Sequence, residues 1–132
     1  MPEERPSTLR YRILRYTPNL IRDEWVNVGL LLEEVDGPRR AMRMIEEASE
    51  IARVQRLHPT ADENLLRALP AEFDARLRAP EAEVRTYLEK IGQTLSNVLQ
   101  FSPQKGLLAE DFDTELDRLF RDHIAPPPCA AL

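Results

Sequence analysis

Four polar residues lie in or beside apolar segments near the start of this sequence, and their types could do chemistry. Arg15 and Tyr16 close the segment TLRYRILRY, and Glu24 and Asn27 lie in the segment EWVNVGLLLE. A polar group in a core strand costs free energy unless it has a partner. An arginine can bind a carboxylate or a phosphate through its forked donors, and a glutamate can accept a proton. These residues either satisfy one another within the fold or form a recognition site, and both interpretations stay open.

Three further polar residues follow later in the chain. Asn97 and Gln100 bracket the apolar pair Val98-Leu99, and Lys105 comes soon after. Amides in such positions line a groove or bond the backbone at the ends of a strand. The candidate binding residues are therefore Arg15, Tyr16, Glu24, Asn27, Asn97, Gln100 and Lys105, and we assign no catalytic residue.

Motifs that would name a reaction or a cofactor are absent from the sequence. Its four glycines form neither a GxGxxG nor a GxxxxGK[ST] pattern, which excludes phosphate-binding loops of those types. The two histidines, His58 and His123, and the single Cys129 lie far apart, so a zinc site would need carboxylates from several elements. We therefore expect no metal and no cofactor, and these absences favour a non-catalytic protein without deciding whether it is an enzyme.

Composition limits the class of protein further. The 132 residues suit one domain, which we place at residues 1–125, followed by a Pro-rich tail at 126–132 that we expect to be disordered. With 18 basic and 23 acidic side chains the net charge is −5, which argues against binding nucleic acid by bulk charge. The longest uncharged segment, residues 91–104, is 14 residues long and too short to span a bilayer, which takes ~20. With one cysteine and no signal-peptide core, we expect a cytoplasmic protein without a membrane anchor.

Periodicity predicts the elements that must position these residues. Thr8 to Tyr16 alternates with period two, with Arg10 and Arg12 on the face opposite to Leu9 and Tyr11. Segments 24–33 and 39–45 predict two more strands, joined by a turn at Asp36-Gly37, so the first half reads as an antiparallel meander.

The second half has mainly helical periodicity. Helical segments run from Glu46 to His58, from an N-cap at Asp62, from Pro80 to about Leu95, and from an N-cap at Asp113. Residues 98–101 predict a fourth strand and 102–106 a loop. The fold class is therefore α+β, an antiparallel sheet of three to four strands packed against four or five helices. We expect Val26, Val28, Leu30 and Leu32 to pack beneath Val84, Leu88, Ile91 and Leu95.

Five runs of the sequence together resemble a known family. They are YRILRYTP, DEWVNVGLLL, RLHP, SNVLQFSPQKG and ELDRLF. They resemble the bacterial domain-of-unknown-function family 3037 over about residues 9 to 124. The residues that match its pattern are Arg15, Tyr16, Pro18, Glu24, Asn27, Gly29, Asn97, Gln100 and Gly106. The resemblance implies a small bacterial cytoplasmic protein without an established activity, whose gene often lies beside one for a HipA-like kinase.

Two functions from different classes follow. The first is a non-catalytic interaction or regulatory module that binds a protein partner through the sheet, with the HipA-like kinase as the partner that the resemblance suggests. The second is a small enzyme or ligand-binding domain in which Arg15 binds a phosphate or carboxylate group and Glu24 accepts a proton. An exposed apolar patch would favour the first function, and a closed pocket around Arg15 would favour the second.

Overall fold

The computed structural model describes residues 6–19, 21–22, 24–93 and 98–125. Asn97, Leu95 and the predicted tail lie outside the described residues. The elements in chain order are β1 (Ser7–Asn19), β2 (Glu24–Glu34), β3 (Arg40–Met44), α1 (Ala48–Leu57), α2 (Glu63–Leu77), α3 (Glu81–Gln93), β4 (Leu99–Phe101), β5 (Lys105–Ala109) and α4 (Phe112–His123). The predicted α+β class and the N-terminal meander are confirmed.

All described strand pairs of the sheet are antiparallel. The strand order is β3-β2-β1-β4, and β5 also pairs with β1. The long strand β1 pairs with β4 through residues 14–16 and with β5 through residues 7–11. Strand β5 was not predicted from the sequence, which indicated a loop over its first two residues. It is a five-residue strand with three exposed positions, so it lacks the regular apolar alternation by which a buried strand is recognised.

A bulge in β2 changes which side chains share a face. Leu14 pairs with Gly29 and Arg15 pairs with Asn27, so Val28 is an extra residue on β2. An extra residue shifts the alternation of a strand by one position. The predicted set of Val26, Val28, Leu30 and Leu32 on a single face is therefore wrong, although Leu30 is fully buried as expected.

Helices cover both faces of the sheet. On the first face, which we call the α2 face, Phe101 of β4 lies against Phe73 of α2 with ring centroids 6.4 Å apart. On the second face, which we call the α4 face, Tyr11 of β1 lies 5.8 Å from the ring of His123. Helix α3 packs mainly on β4 and α2, whereas α4 packs on β2. The predicted packing of β2 beneath α3 is therefore wrong.

Helix boundaries follow the expected signals with one shift. Helix α1 ends before His58, and the side chain of Asp62 accepts a hydrogen bond from Leu65 N at the start of α2. The last helix is capped by Asp111, whose side chain accepts from Thr114 N at 3.2 Å, and not by Asp113. Both aspartates are residue types that commonly cap a helix N-terminus, and in the structure the helix begins directly after Asp111. No helix in the described ranges has the length and apolar character needed to cross a bilayer.

Candidate functional site

Three of the predicted residues form a row across adjacent strands. Arg15 on β1 pairs with Asn27 on β2 and with Gln100 on β4. Residues directly opposite one another in an antiparallel sheet lie on the same face with Cβ atoms about 5 Å apart. The structure thus brings together residues that are 12 and 85 positions apart in the sequence.

Arg15 is held by an aromatic ring and not by Glu24. Its guanidinium carbon lies 4.9 Å from the ring centroid of Trp25, which is a cation–π contact. Its Nε atom is buried and has no hydrogen-bond partner among the described residues. Glu24 instead pairs with Arg22 at 2.8 Å, and both side chains are exposed. Of the two interpretations left open by the sequence, a direct pairing of Arg15 with Glu24 is not the one that the structure contains.

Asn27 ties the sheet to the C-terminal end of α4. Its Nδ2 donates to the carbonyl oxygen of His123 at 3.1 Å, and Nη2 of Arg53 on α1 donates to the carbonyl oxygen of Ile124 at 2.8 Å. The last carbonyl groups of a helix lack partners within the helix, and a cation there is favoured by the helix dipole. Asn27 thus bonds the backbone at the C-terminal end of α4.

A partly exposed apolar surface lies at the same end of the sheet. Trp25 and Leu57 are 50% and 65% exposed, and they line a shallow cavity of about 320 Å³ together with Asn27, Arg53, His58 and His123. We call the surface formed by Arg15, Trp25, Arg53, Leu57, His58 and His123 the Trp25 surface. Its members come from β1, β2, the end of α1 and the end of α4.

The remaining predicted residues lie elsewhere. Tyr16 is buried, and its hydroxyl accepts a hydrogen bond from Asp62 N at 2.9 Å, so it connects β1 to the start of α2. Lys105 is exposed and pairs with Tyr11 at the beginning of β5. Asn97 lies outside the described residues.

A buried carboxylate, that of Glu33, was not predicted from the sequence. The side chain of Glu33 is 5% exposed, and three arginines surround it. Its Oε1 accepts from Arg10 Nε at 3.3 Å and from Arg12 Nη2 at 3.5 Å, and its Oε2 accepts from Arg40 Nε at 2.7 Å. We call these four residues the Glu33 cluster. The alternation of β1 places Arg10 and Arg12 on one face, but only the strand register shows that Glu33 lies opposite Arg10 and Arg40.

The arginines of this cluster differ in their electrostatic surroundings. Two hydrogen bonds from Arg40 to Glu81, at 2.8 and 3.0 Å, raise the pKa of the Arg40 guanidinium. Burial lowers the pKa of Arg12 although Glu33 opposes that shift. Arg40 is thus matched by two carboxylates, whereas Arg12 is partly buried, shares Glu33 with two other arginines and lies 5.0 Å from the ring centroid of Phe101.

A larger groove lies between β3 and α2. It has a volume of about 750 Å³, and Arg40, Met42, Met44, Phe73 and Leu77 are among the residues that line it. None of the seven predicted binding residues lies among those that line this groove.

The fold and the site define a small α+β protein with a cationic, partly apolar surface at one end of its sheet. A family model described as "Protein of unknown function (DUF3037)" matches residues 11–124, and the chain belongs to that family. No curated protein and no solved structure matches the chain.

Proposed function

We propose that this protein is a non-catalytic interaction module that binds a partner protein through the Trp25 surface. The single observation that carries the proposal is the exposure of Trp25 and Leu57 around one shallow cavity. Burying an exposed indole and a leucine on association is favourable by ~25 cal/mol per Å² of apolar area. Tryptophan and arginine are also the residue types that most often dominate binding energy at protein interfaces.

The charge of this surface defines the chemistry of the partner. The residues that line the cavity include Arg53 and two imidazoles, and no carboxylate is among them. Arg15 adds a second guanidinium behind the ring of Trp25. This local positive charge contrasts with the net charge of −5 for the whole chain. A partner segment that carries carboxylates beside an apolar side chain would complement the surface.

A HipA-like kinase is the partner to test first, because the resemblance of the sequence suggests it. In that proposal the module holds an acidic segment of the kinase and regulates it by occupying that segment. Binding of an anionic small ligand at Arg15 stays a prediction of the sequence. The geometry supports it less, because Arg15 is not among the residues that line the cavity beside Trp25.

The experiment immobilises the purified chain and measures retention of the purified HipA-like kinase of the source organism. The test variants are Trp25→Ser and Leu57→Ser. Leu108→Ser is the matched control, because Leu108 is an apolar side chain on β5 that is 69% exposed.

We expect the wild-type chain and Leu108→Ser to retain the kinase, and both test variants to lose it. Equal retention by all variants would contradict the Trp25 surface as the binding site. If neither the wild-type chain nor any variant retains the kinase, capture from a lysate followed by mass spectrometry tests other partners. Loss of a captured protein in Trp25→Ser and Leu57→Ser, with capture by Leu108→Ser intact, would then support the surface and contradict the kinase.

A further inference from the structure

Arg10 and Arg12 have hydrogen-bond donors that do not contact Glu33. We call the side of these two arginines that faces away from Glu33 the outer side of the Glu33 cluster. Arg40 donates to Glu33 through Nε and to Glu81 through both Nη atoms, so all three of its nitrogens already bond a carboxylate. Arg10 reaches Glu33 only through Nε, and Arg12 only through one Nη atom at the long distance of 3.5 Å. The Nε of Arg12 is buried and has no hydrogen-bond partner within the described ranges.

Charge in the cluster is also unbalanced. Three guanidinium groups face Glu33 and Glu81, which leaves one positive charge in excess. Glu81 is exposed and contacts only Arg40 of the cluster. The surplus therefore falls on Arg10 and Arg12, which are neighbours on one face of β1.

Space for a ligand is available on this side. Arg12 lines a shallow cavity of about 370 Å³ together with Leu88, Glu89, Phe101, Ser102 and Gln104. Gly106 pairs with Arg10 on β5, and a Cβ atom built there would meet only the carbonyl oxygen of Leu9, at 3.8 Å. The sheet beside Arg10 is thus free of side-chain bulk at this position.

We infer that Arg10 and Arg12 bind a phosphate group of a small ligand on the outer side of the Glu33 cluster. Each guanidinium is a planar fork that fits two oxygens of an oxyanion. A phosphate has enough terminal oxygens to accept from both forks, whereas Glu33 offers Arg10 and Arg12 only its Oε1, because its Oε2 accepts from Arg40. This site lies on the α2 face and is separate from the Trp25 surface, so the inference goes beyond the proposed function.

The test titrates inorganic phosphate into the full chain and follows the arginine Nε–H signals by NMR at constant ionic strength set with chloride. The test variants are Arg10→Gln and Arg12→Gln. Arg22→Gln is the matched control, because Arg22 is an exposed arginine paired with a single carboxylate. Circular dichroism of each variant verifies that it is folded.

We expect saturable shifts of the signals of Arg10 and Arg12 in the wild type and in Arg22→Gln. Loss of one charge-assisted hydrogen-bonding group should weaken binding about tenfold or more in either test variant. Shifts of equal size with chloride alone, or unchanged affinity in both test variants, would overturn the inference. Tighter binding of citrate than of phosphate would overturn the choice of phosphate.

A second variant keeps the inference falsifiable if Arg12→Gln does not fold. Glu89 lines the same cavity, is exposed and carries the carboxylate that opposes an anion there. Removing this charge in Glu89→Gln should tighten phosphate binding several-fold without affecting the fold, since like charges within a few ångströms repel. Unchanged or weaker phosphate binding in Glu89→Gln would contradict the site.

Discussion

Two groups of arginines lie in different parts of this sheet, and their partners differ. In the Glu33 cluster, three guanidinium groups converge on a buried carboxylate. At the Trp25 surface, Arg15 lies on a half-exposed indole and Arg53 bonds a helix carbonyl. The first group surrounds a carboxylate inside the molecule, whereas the second presents charge and apolar area at its surface.

The comparison separates arginines that the fold requires from arginines that the fold tolerates. A buried carboxylate that loses its partners, or arginines that lose their carboxylate, become uncompensated charges. Removing an arginine that stacks on a partly exposed ring should lower the stability of the protein only slightly, because water can solvate both the arginine and the ring. Stability should therefore depend strongly on Glu33 and weakly on Arg15.

The largest expected effect is on the free energy of unfolding of Glu33→Gln. Replacing the carboxylate leaves three neighbouring guanidinium groups without their common anion, and should cost about 2–4 kcal/mol, because partial exposure of Arg10 and Arg12 moderates the loss. Urea unfolding of the wild type and of Glu33→Gln measures this change in the free energy of unfolding. Glu24→Gln is the control, since this exposed carboxylate pairs with one exposed arginine and should change stability by less than about 0.5 kcal/mol. Equal effects of the two substitutions would remove the distinction between the regions.

The sequence predicts the local elements well and the Glu33 cluster poorly, for a physical reason. Alternation in β1 is a property of neighbouring residues, so it correctly separates Arg10 and Arg12 from Leu9 and Tyr11. The burial of Glu33 depends on two other strands and on α3, through the pairing of Arg10, Arg40 and Glu81. A glutamate near the end of an apolar strand looks solvent-exposed when only its own strand is considered.

A smaller effect is expected for Asn27→Ala. This change removes the donor to the carbonyl oxygen of His123 and leaves a partly buried acceptor unsatisfied, which should cost about 1–2 kcal/mol. Asn64→Ala is the matched control, because Asn64 is exposed on α2. Thermal unfolding distinguishes the two, and an Asn27→Ala protein as stable as the control would show that the sheet and α4 do not depend on this bond.

Arg15→Ala should lower stability less still. Its cation–π contact with Trp25 contributes about 0.5–1 kcal/mol at a partly exposed site. Retention of the partner should nevertheless fall sharply, because the substitution removes a positive charge from the Trp25 surface. A loss of more than about 2 kcal/mol with partner binding intact would assign Arg15 to the fold and would contradict the proposed role.

The smallest effect concerns pH and tests the exposed edge of the Glu33 cluster. Hydrogen bonds from Arg40 lower the pKa of Glu81 below its usual value of 4.5. A carboxylate whose folded pKa is lowered stabilises the protein above its unfolded pKa, and this contribution is lost as the pH falls through the folded pKa. The melting temperature of wild type should therefore exceed that of Glu81→Gln at pH 7, and the difference should shrink as the pH falls below 4.5. A difference that is the same at pH 7 and pH 3 would contradict this pairing.

The candidate site shows the same limit of sequence reasoning. The types of Arg15 and Asn27 marked them as unusual, and the register places them side by side. Their contacts with Trp25 and with the end of α4 required the bulge at Val28 and the docking of α4, which depend on residues far away in sequence. The sequence did not mark Leu57 as a surface residue. A leucine at the end of a helix looks the same in the sequence whether it is exposed or belongs to the buried apolar stripe.

The single tryptophan of the chain allows the most direct test of the central claim. Incorporating 5-fluorotryptophan gives one ¹⁹F NMR signal, which reports on Trp25 alone. We predict that adding the partner, a HipA-like kinase or a protein captured through the wild-type chain, shifts and broadens this signal. It should also reduce the relaxation enhancement that a soluble paramagnetic agent causes at Trp25. A complex that co-elutes on gel filtration while the Trp25 signal keeps its position, its width and its relaxation enhancement would contradict binding through the Trp25 surface.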